Sequence, residues 1–253
     1  MAETIQLASG AKEVDIIKAL ASLNLGGTLI LPQGETIAIS VGLSIDVSNR
    51  SITLDLNGST LVKAGNITVI TGIGGHDPAV SAKLGLDGGG HTTVTYNNGL
   101  PAGLKAGEWV KIISDDGLPG DFVDASQAKM GQALEVLSIS GNTVTFKEAL
   151  IDQGNYKTNI RASTYNSGEL VVSNGEVVGN QTQTTWNKPL VQLRSVVDAQ
   201  IDDLIVRDGV GRGINVVDSV NAHITDVTVK TSSTAVRRRW ASGSPRSLRP
   251  APR

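Results

Sequence analysis

The chain has 253 residues, of which 40% are hydrophobic but only 3% aromatic, with 29 glycines and no cysteine. A core must therefore be filled by Val, Ile, Leu and Ala between many tight turns, and a disulfide framework, a thiolate nucleophile and a Cys-ligated zinc site are excluded. The formal charge of −2 hides a division, because residues 236–253 carry six of the 22 basic residues and no carboxylate, leaving 16 basic against 24 acidic, or −8, on the rest; a body that acidic argues against a nucleic-acid partner, which needs a basic patch.

The start, Met1-Ala2-Glu3-Thr4-Ile5-Gln6, lacks the basic end and apolar run of a signal peptide, and no stretch approaches the length of a membrane-spanning helix. A soluble chain is expected, with any export by another route. Residues 11–23 predict a helix with Val14, Ile17, Leu20 and Ala21 on one stripe, Lys12, Asp15 and Lys18 elsewhere, and Ser9 as N-cap. It stops near Asn24-Leu25-Gly26-Gly27, and Thr28-Leu29-Ile30-Leu31-Pro32 begins a strand. Leu29 and Leu31 recur as Ile52 and Leu54 at a step of 23, and Ile45 and Val47 as Ile67 and Val69 at a step of 22.

Two further strand regions follow, at residues 104–113 and 134–146, the second turning at Ser140-Gly141-Asn142. The Asp- and Gly-rich link 114–129 reads as an exposed loop. The clearest repeat comes next. Val197-Asp198-Ala199-Gln200-Ile201-Asp202-Asp203-Leu204-Ile205-Val206-Arg207 matches Val220-Asn221-Ala222-His223-Ile224-Thr225-Asp226-Val227-Thr228-Val229-Lys230 at an offset of 23, extended by Val191 and Leu193 onto Ile214 and Val216. Residues 172–177 lie on 201–206 at an offset of 29, one period plus a six-residue insertion near residues 182–187.

A period of 22 to 23 residues, built of short β-branched segments and Gly/Asn/Asp turns, is one coil of a β-solenoid whose inward aliphatic residues stack between coils. Leucine-rich repeats share the length, but their Leu-x-x-Leu-x-Leu-x-x-Asn frame is absent. The helix cap, then Gly26-Gly27-Thr28-Leu29-Ile30-Leu31-Pro32-Gln33-Gly34, then stacked coils resembles the start of the pectate-lyase-like right-handed parallel β-helix superfamily. That group includes polysaccharide lyases, glycoside hydrolases, mannuronan epimerases and phage tailspikes. The resemblance covers residues 11–70 and 168–233.

The resemblance implies an all-β chain: a right-handed parallel β-helix with an N-terminal capping α-helix and a small β insertion on its flank. The expected division is a leading segment and capping helix at 1–27, first coils at 28–100, the insertion at 101–167, further coils at 168–235 and a disordered tail at 236–253. It also implies an extracellular or virion-associated protein acting on an anionic polysaccharide by lyase, epimerase or hydrolase chemistry. The alternative is a non-catalytic adhesin or tailspike-like glycan-binding module, trimeric if tailspike-like. The Asp-Pro-His motif of mannuronan epimerases is missing: the equivalent turn reads Gly213-Ile214-Asn215-Val216-Val217, and His76-Asp77-Pro78 has another order. After Lys230 the coil pattern gives way to Val236-Arg237-Arg238-Arg239-Trp240, which reads as out-of-frame or artefactual sequence, with a basic interaction tail as the other reading. A tail of that origin would leave the coil at 225–230 uncapped and the protein truncated.

Aligned coils stack Asp203 on Asp226, Asp198 on Asn221 and Arg207 on Lys230. The Asp203/Asp226 pair at a corner reads as a turn-capping ladder; as a carboxylate pair it would bind Ca2+ or share a proton, and no other cofactor is expected. Arg207 and Lys230, with Asp208 and Arg212 beside the same turn, are the candidate catalytic group, since a basic pair would clamp a uronate carboxylate and ease removal of the proton next to it. A solvated surface with local ion pairs is the plain alternative. Trp186 in the six-residue insertion, outward His223 and Asn215 are candidate substrate contacts. No metal-ligand spacing occurs, and Gly209-Val210-Gly211-Arg212-Gly213 lacks the following helix that a phosphate loop needs.

Overall fold

The computed structural model describes residues 3–118 and 129–230. The Arg-rich residues 236–253 and the middle of the 114–129 link lie outside them. The chain opens with strand β1 (Glu3–Gln6) and helix α1 (Glu13–Ser22), then winds through β2 (Gly27–Ile30), β3 (Thr36–Ile39), β4 (Leu43–Asp46), β5 (Ile52–Asp55), β6 (Thr60–Lys63) and β7 (Ile70–Ile73). An antiparallel insertion follows: β8 (Gly75–His76), β9 (Val80–Leu86), β10 (Thr92–Tyr96), β11 (Trp109–Gly117), β12 (Lys129–Ser140), β13 (Thr143–Phe146) and β14 (Arg161–Asn166). Coiling resumes with β15 (Leu170–Val178), β16 (Val191–Arg194), β17 (Ala199–Arg207), β18 (Ile214–Val217), β19 (His223–Thr225) and β20 (Thr228–Lys230).

Three parallel ladders run up the solenoid. The first stacks β1, β2, β5, the start of β15, the start of β17 and β19. The second stacks β3, β6 and the later halves of β15 and β17, ending on β20. The third stacks β4, β7, β16 and β18. Because side chains alternate along a strand, each ladder turns one set of residues inward; Leu29, Leu54, Val172, Ile201 and Ile224 form one such file. All but Ile224, which is exposed on the last described coil, belong to a buried core cluster that is wholly aliphatic.

Register agrees with the sequence repeat in the later coils and departs from it in the first. Ile201 pairs with Ile224 and Val191 with Ile214, both at 23 residues, and Val172 with Ile201 at 29. Earlier, Leu29 faces Leu54 rather than Ile52. A two-residue slip keeps the same face inward, so hydrophobic pattern alone does not detect it. Ile45 faces Gly72, whereas Ile67 lies in the turn before β7.

Helix α1 caps the first coil with a different stripe from the one predicted. Glu13 accepts the amides of Ser40, Val41 and Gly42 at 3.0, 2.8 and 2.8 Å, which turns residues three and seven further on toward the coil. Ile16, Ala19, Leu20 and Leu23 are therefore buried while Val14 is 51% and Ile17 37% exposed. Ser9 does not cap the helix; its hydroxyl donates to Glu35 at 2.5 Å, and Lys12 takes the N-cap position with its amide on Asp15 at 2.9 Å.

The insertion begins at Gly75, not at residue 101. Strands β9 and β10 form a hairpin that also pairs with β14 and β13, so residues 75–100 belong to it. Strand alternation has the same period in both contexts, and nothing in it marks the crossing from coil to insertion. Tyr96, Phe146, Tyr156, Val94 and Val144 centre a second buried cluster, separate from that of the coils. Among the described residues no helix is long and apolar enough to cross a membrane.

Candidate functional site

At the corner between the first and second ladders, Asn57, Asn174, Asp203 and Asp226 all take left-handed backbone conformations, with φ of 50°, 61°, 45° and 50°. Asn and Asp tolerate that region better than other residues with a Cβ, which explains why they recur there. The neighbouring corner repeats the device at Asp198 and Asn221, whose side chains bond at 2.5 Å. Asp203 and Asp226 are thus corner residues. Among the described residues no three His, Cys, Asp or Glu side chains converge as metal ligands would.

The sequence-derived site residues fall on three faces. Arg207, Asp208 and Lys230 lie together at the end of the second ladder, Arg207 beside Lys230 in register. The Arg207 guanidinium grips Glu176 on the coil below through two nitrogens and reaches Asp208 at 2.5 Å, while Gln181 donates to the same Asp208 carboxylate. The Glu176 bond raises the guanidinium's affinity for its proton and holds the Glu176 carboxyl below its ordinary range. Arg207 is engaged between two carboxylates, a geometry that ties coils together. His223 is exposed on the first ladder, in register with Gln200. Trp186 sits half-buried in the six-residue loop, Asn215 lies on the third ladder, and Arg212 lies in the turn that leads into it.

That third face holds a groove. Alternation sends Ser44, Thr71, Gln192 and Asn215 outward in one file across four coils, and with Lys188 and Arg212 at its edge they line a cavity of about 440 Å³. Asn66 lines it as well, and no carboxylate, His or Tyr does. Arg212 donates to Asn215 at 3.3 Å, and among the described residues neither Arg212 nor Lys188 forms an ion pair. Lys63 sets the groove's rim. It is an inward, 3% exposed lysine whose Nζ donates to the carbonyls of Trp186 at 3.3 Å and Lys188 at 2.9 Å, and burial lowers its proton affinity.

At the other end of β18 stands a polar cluster that sequence reasoning missed. Asp218 accepts from Lys111 at 2.5 Å and Tyr165 at 3.2 Å on one oxygen, and meets His76 at 2.9 Å and the Ser195 hydroxyl at 3.2 Å on the other. Lys111, Tyr165 and His76 come from the insertion, Ser195 and Asp218 from the coils. Partial burial pushes the Asp218 carboxyl up, but the Lys111 and His76 contacts outweigh it and hold the group below the usual carboxylate range. Burial and then Asp218 raise the Tyr165 phenol, which stays protonated. Every group that reaches Asp218 is committed to it, and the free His76 nitrogen, Nδ1, is buried. The cluster is a clamp between insertion and solenoid.

The offset of 23 that pairs Val191 with Ile214 also places Gln192 beside Asn215, so half of the groove's file was available from the repeat. Thr71 and Ser44 were not, because the insertion interrupts the register between them and Gln192. Asp218 aligns with Ser195 at the same offset, but its partners from the insertion stand 53 to 142 residues away.

No protein-family model matches the chain, and no curated protein does. Solved structures do. The tailspike protein gp49 from Pseudomonas phage LKA1 superposes with a TM-score of 0.55 at 18% identity, over 84% of this chain and 35% of that one. The Gp54 tailspike of Acinetobacter baumannii bacteriophage AP22, solved in complex with A. baumannii capsular saccharide, gives 0.53 at 11% identity, over 83% of this chain and 43% of that one. The chain thus spans less than half the length of either tailspike. Identities this low speak for architecture, and the architecture is plain: the chain has a right-handed parallel β-helix fold, shared with these two tailspikes.

Proposed function

We propose that this chain is a glycan-engaging β-helix of an extracellular or virion-associated protein, gripping an acidic polysaccharide along the outer face of its third ladder. The observation that carries the reading is the groove itself, two cations and a file of amides and hydroxyls without one lining carboxylate, on a body whose acidic residues outnumber its basic ones. Arg212 and Lys188 pair with uronate carboxylates, and Gln192, Asn215, Thr71 and Ser44 exchange hydrogen bonds with ring hydroxyls. The lining offers no acid–base pair, which favours binding over cleavage at this face. Support also comes from the fold shared with two tailspikes, one solved with a capsular saccharide. A tailspike-like chain would be trimeric.

Titration calorimetry with alginate and pectate oligomers tests the reading. Arg212→Ala removes a charge-assisted bond worth about 1.5–3 kcal/mol, so affinity should fall about tenfold or more, and binding should weaken as salt rises. Equal affinity in Arg212→Ala and Lys188→Ala would overturn it. Absorbance of the unsaturated product, followed in the same samples, reads lyase action. Arg207, Asp208 and Lys230 are the alternative chemical centre, and for them Arg207→Ala should abolish turnover while the fold persists.

A further inference from the structure

A second and larger groove lies on the seam between the insertion and the corner leading into the first ladder. Its volume is about 710 Å³, within the range of small-molecule sites. The coils supply its floor at Arg50 and Ser51, and the insertion supplies a wall at Lys105, Glu108, Trp109 and Tyr165. We infer that this seam groove is a separate subsite for an uncharged sugar, with Trp109 as its stacking platform.

Three observations carry this. The first is charge. The ionic groups lining the seam balance, two cations against two carboxylates: Lys105 stands 3.6 Å from Glu108, while Arg50, which donates to the carbonyls of Asp46 at 2.6 Å and Leu23 at 3.1 Å, is offset by Asp198, which accepts the Asn221 amide at 2.5 Å. A uronate entering here would meet carboxylates as well as cations, whereas the third-ladder groove offers two cations and no carboxylate. The second is the aromatic wall. Trp109 is only half-buried, at the first residue of β11, and the protein has few aromatics to place anywhere. An aromatic face beside polar groups suits the apolar face and hydroxyl rim of a pyranose.

The third is an unanswered polar atom. The side-chain oxygen of Asn166, a lining residue, is buried and has no hydrogen-bond partner, a costly arrangement unless a donor arrives. A turn of the side chain would bring the amide into the groove, where a sugar hydroxyl, donor and acceptor at once, can answer it. Charge balance, an aromatic platform and an orphan amide together describe a site for a polyol without charge. The seam is distinct from the groove of the proposed function, with no lining residue in common, so the two stand or fall separately.

Short neutral gluco-, galacto- and manno-oligosaccharides, titrated into the full chain by calorimetry and saturation-transfer NMR, test the inference. At least one should bind, with unchanged affinity in Arg212→Ala and Lys188→Ala, about tenfold weaker in Trp109→Ala, and near the starting value in Trp109→Phe. Ser51→Leu fills the floor from an exposed position and should block the site without touching either core. Should Trp109→Ala unfold, Ser51→Leu carries the decision. The inference is overturned if none of the neutral sugars binds, if Trp109→Ala and Ser51→Leu bind as tightly as the parent, or if Arg212→Ala is the variant that loses them, since that would move the neutral sugar to the other groove. It is equally overturned if alginate oligomers compete at the seam. Loss of alginate binding in Arg212→Ala reads the proposed function alone.

Discussion

The coils and the insertion bury their chain by different means within one molecule. In the coils every strand pairs in parallel with the equivalent strand of its neighbours, and the interior is a file of Leu, Ile and Val. In the insertion the strands run antiparallel in one seven-stranded sheet, closed over Tyr96, Phe146 and Tyr156. A parallel coil has a narrow interior that repeats at each layer, so aliphatic residues suit it and large rings do not. The insertion packs once, around one centre, where ring volume fills the space. Aromatic content therefore maps the two units here, even though strand alternation does not.

The contrast can be broken by substitution. Phe146 is fully buried in the insertion, and Phe146→Ala should cost about 3–5 kcal/mol. In a denaturant titration followed by Trp fluorescence and far-ultraviolet circular dichroism, the insertion's transition should move to lower denaturant while that of the coils stays. One transition shifting as a whole would show a single cooperative unit. Gly179→Ala addresses the coils instead. An added Cβ would stand 2.3 Å from the Asp208 carbonyl oxygen and 2.7 Å from Gly209 Cα, backbone that cannot swing aside, and a loss of about 1–3 kcal/mol is expected, confined to the coil transition.

A smaller effect separates corner from chemistry. Asp203→Ala should cost about 1 kcal/mol for its left-handed backbone, while Asp203→Asn and Asp203→Gly should leave thermal stability nearly unchanged; a large loss in Asp203→Asn would restore a role for the carboxylate. The smallest effect concerns the clamp. Since the Asp218 carboxyl sits below its ordinary value in the folded protein, its contribution is fully present above about pH 4 and is lost as pH falls through the depressed value. Acid titration of the parent against Asp218→Asn should show that dependence only in the parent, discounted for the partial exposure of the pair.

How much was legible from sequence follows the same division. The repeat at residues 197–230 exposed the solenoid because each coil solves one packing problem with the same residues. The first coil was misaligned by two residues since Leu29 and Leu31 match Ile52 and Leu54 as well as they match Leu54 and Leu56, all of them buried on the inward face. Arg212 and Asn215 were recognised and do share a groove, but Lys188 and Gln192 were passed over, one in a loop and one hidden between the core residues Val191 and Leu193. Arg207 looked like a free cation because its partner Glu176 stands 31 residues away, across the six-residue loop that breaks the count. Trp109 and Asp218 gained meaning only when the seam between units was seen.

The place where the insertion leaves the solenoid has a kinetic consequence. Leu170 must settle on Ile52, 118 positions earlier in the chain, and closing so long a span is slow when nothing holds its ends. The pairing of Gly75 with Asn166 brings those ends together. An insertion that forms first thereby shortens the search facing the third coil, and Phe146→Ala should slow refolding of the whole staircase as well as loosen its side branch.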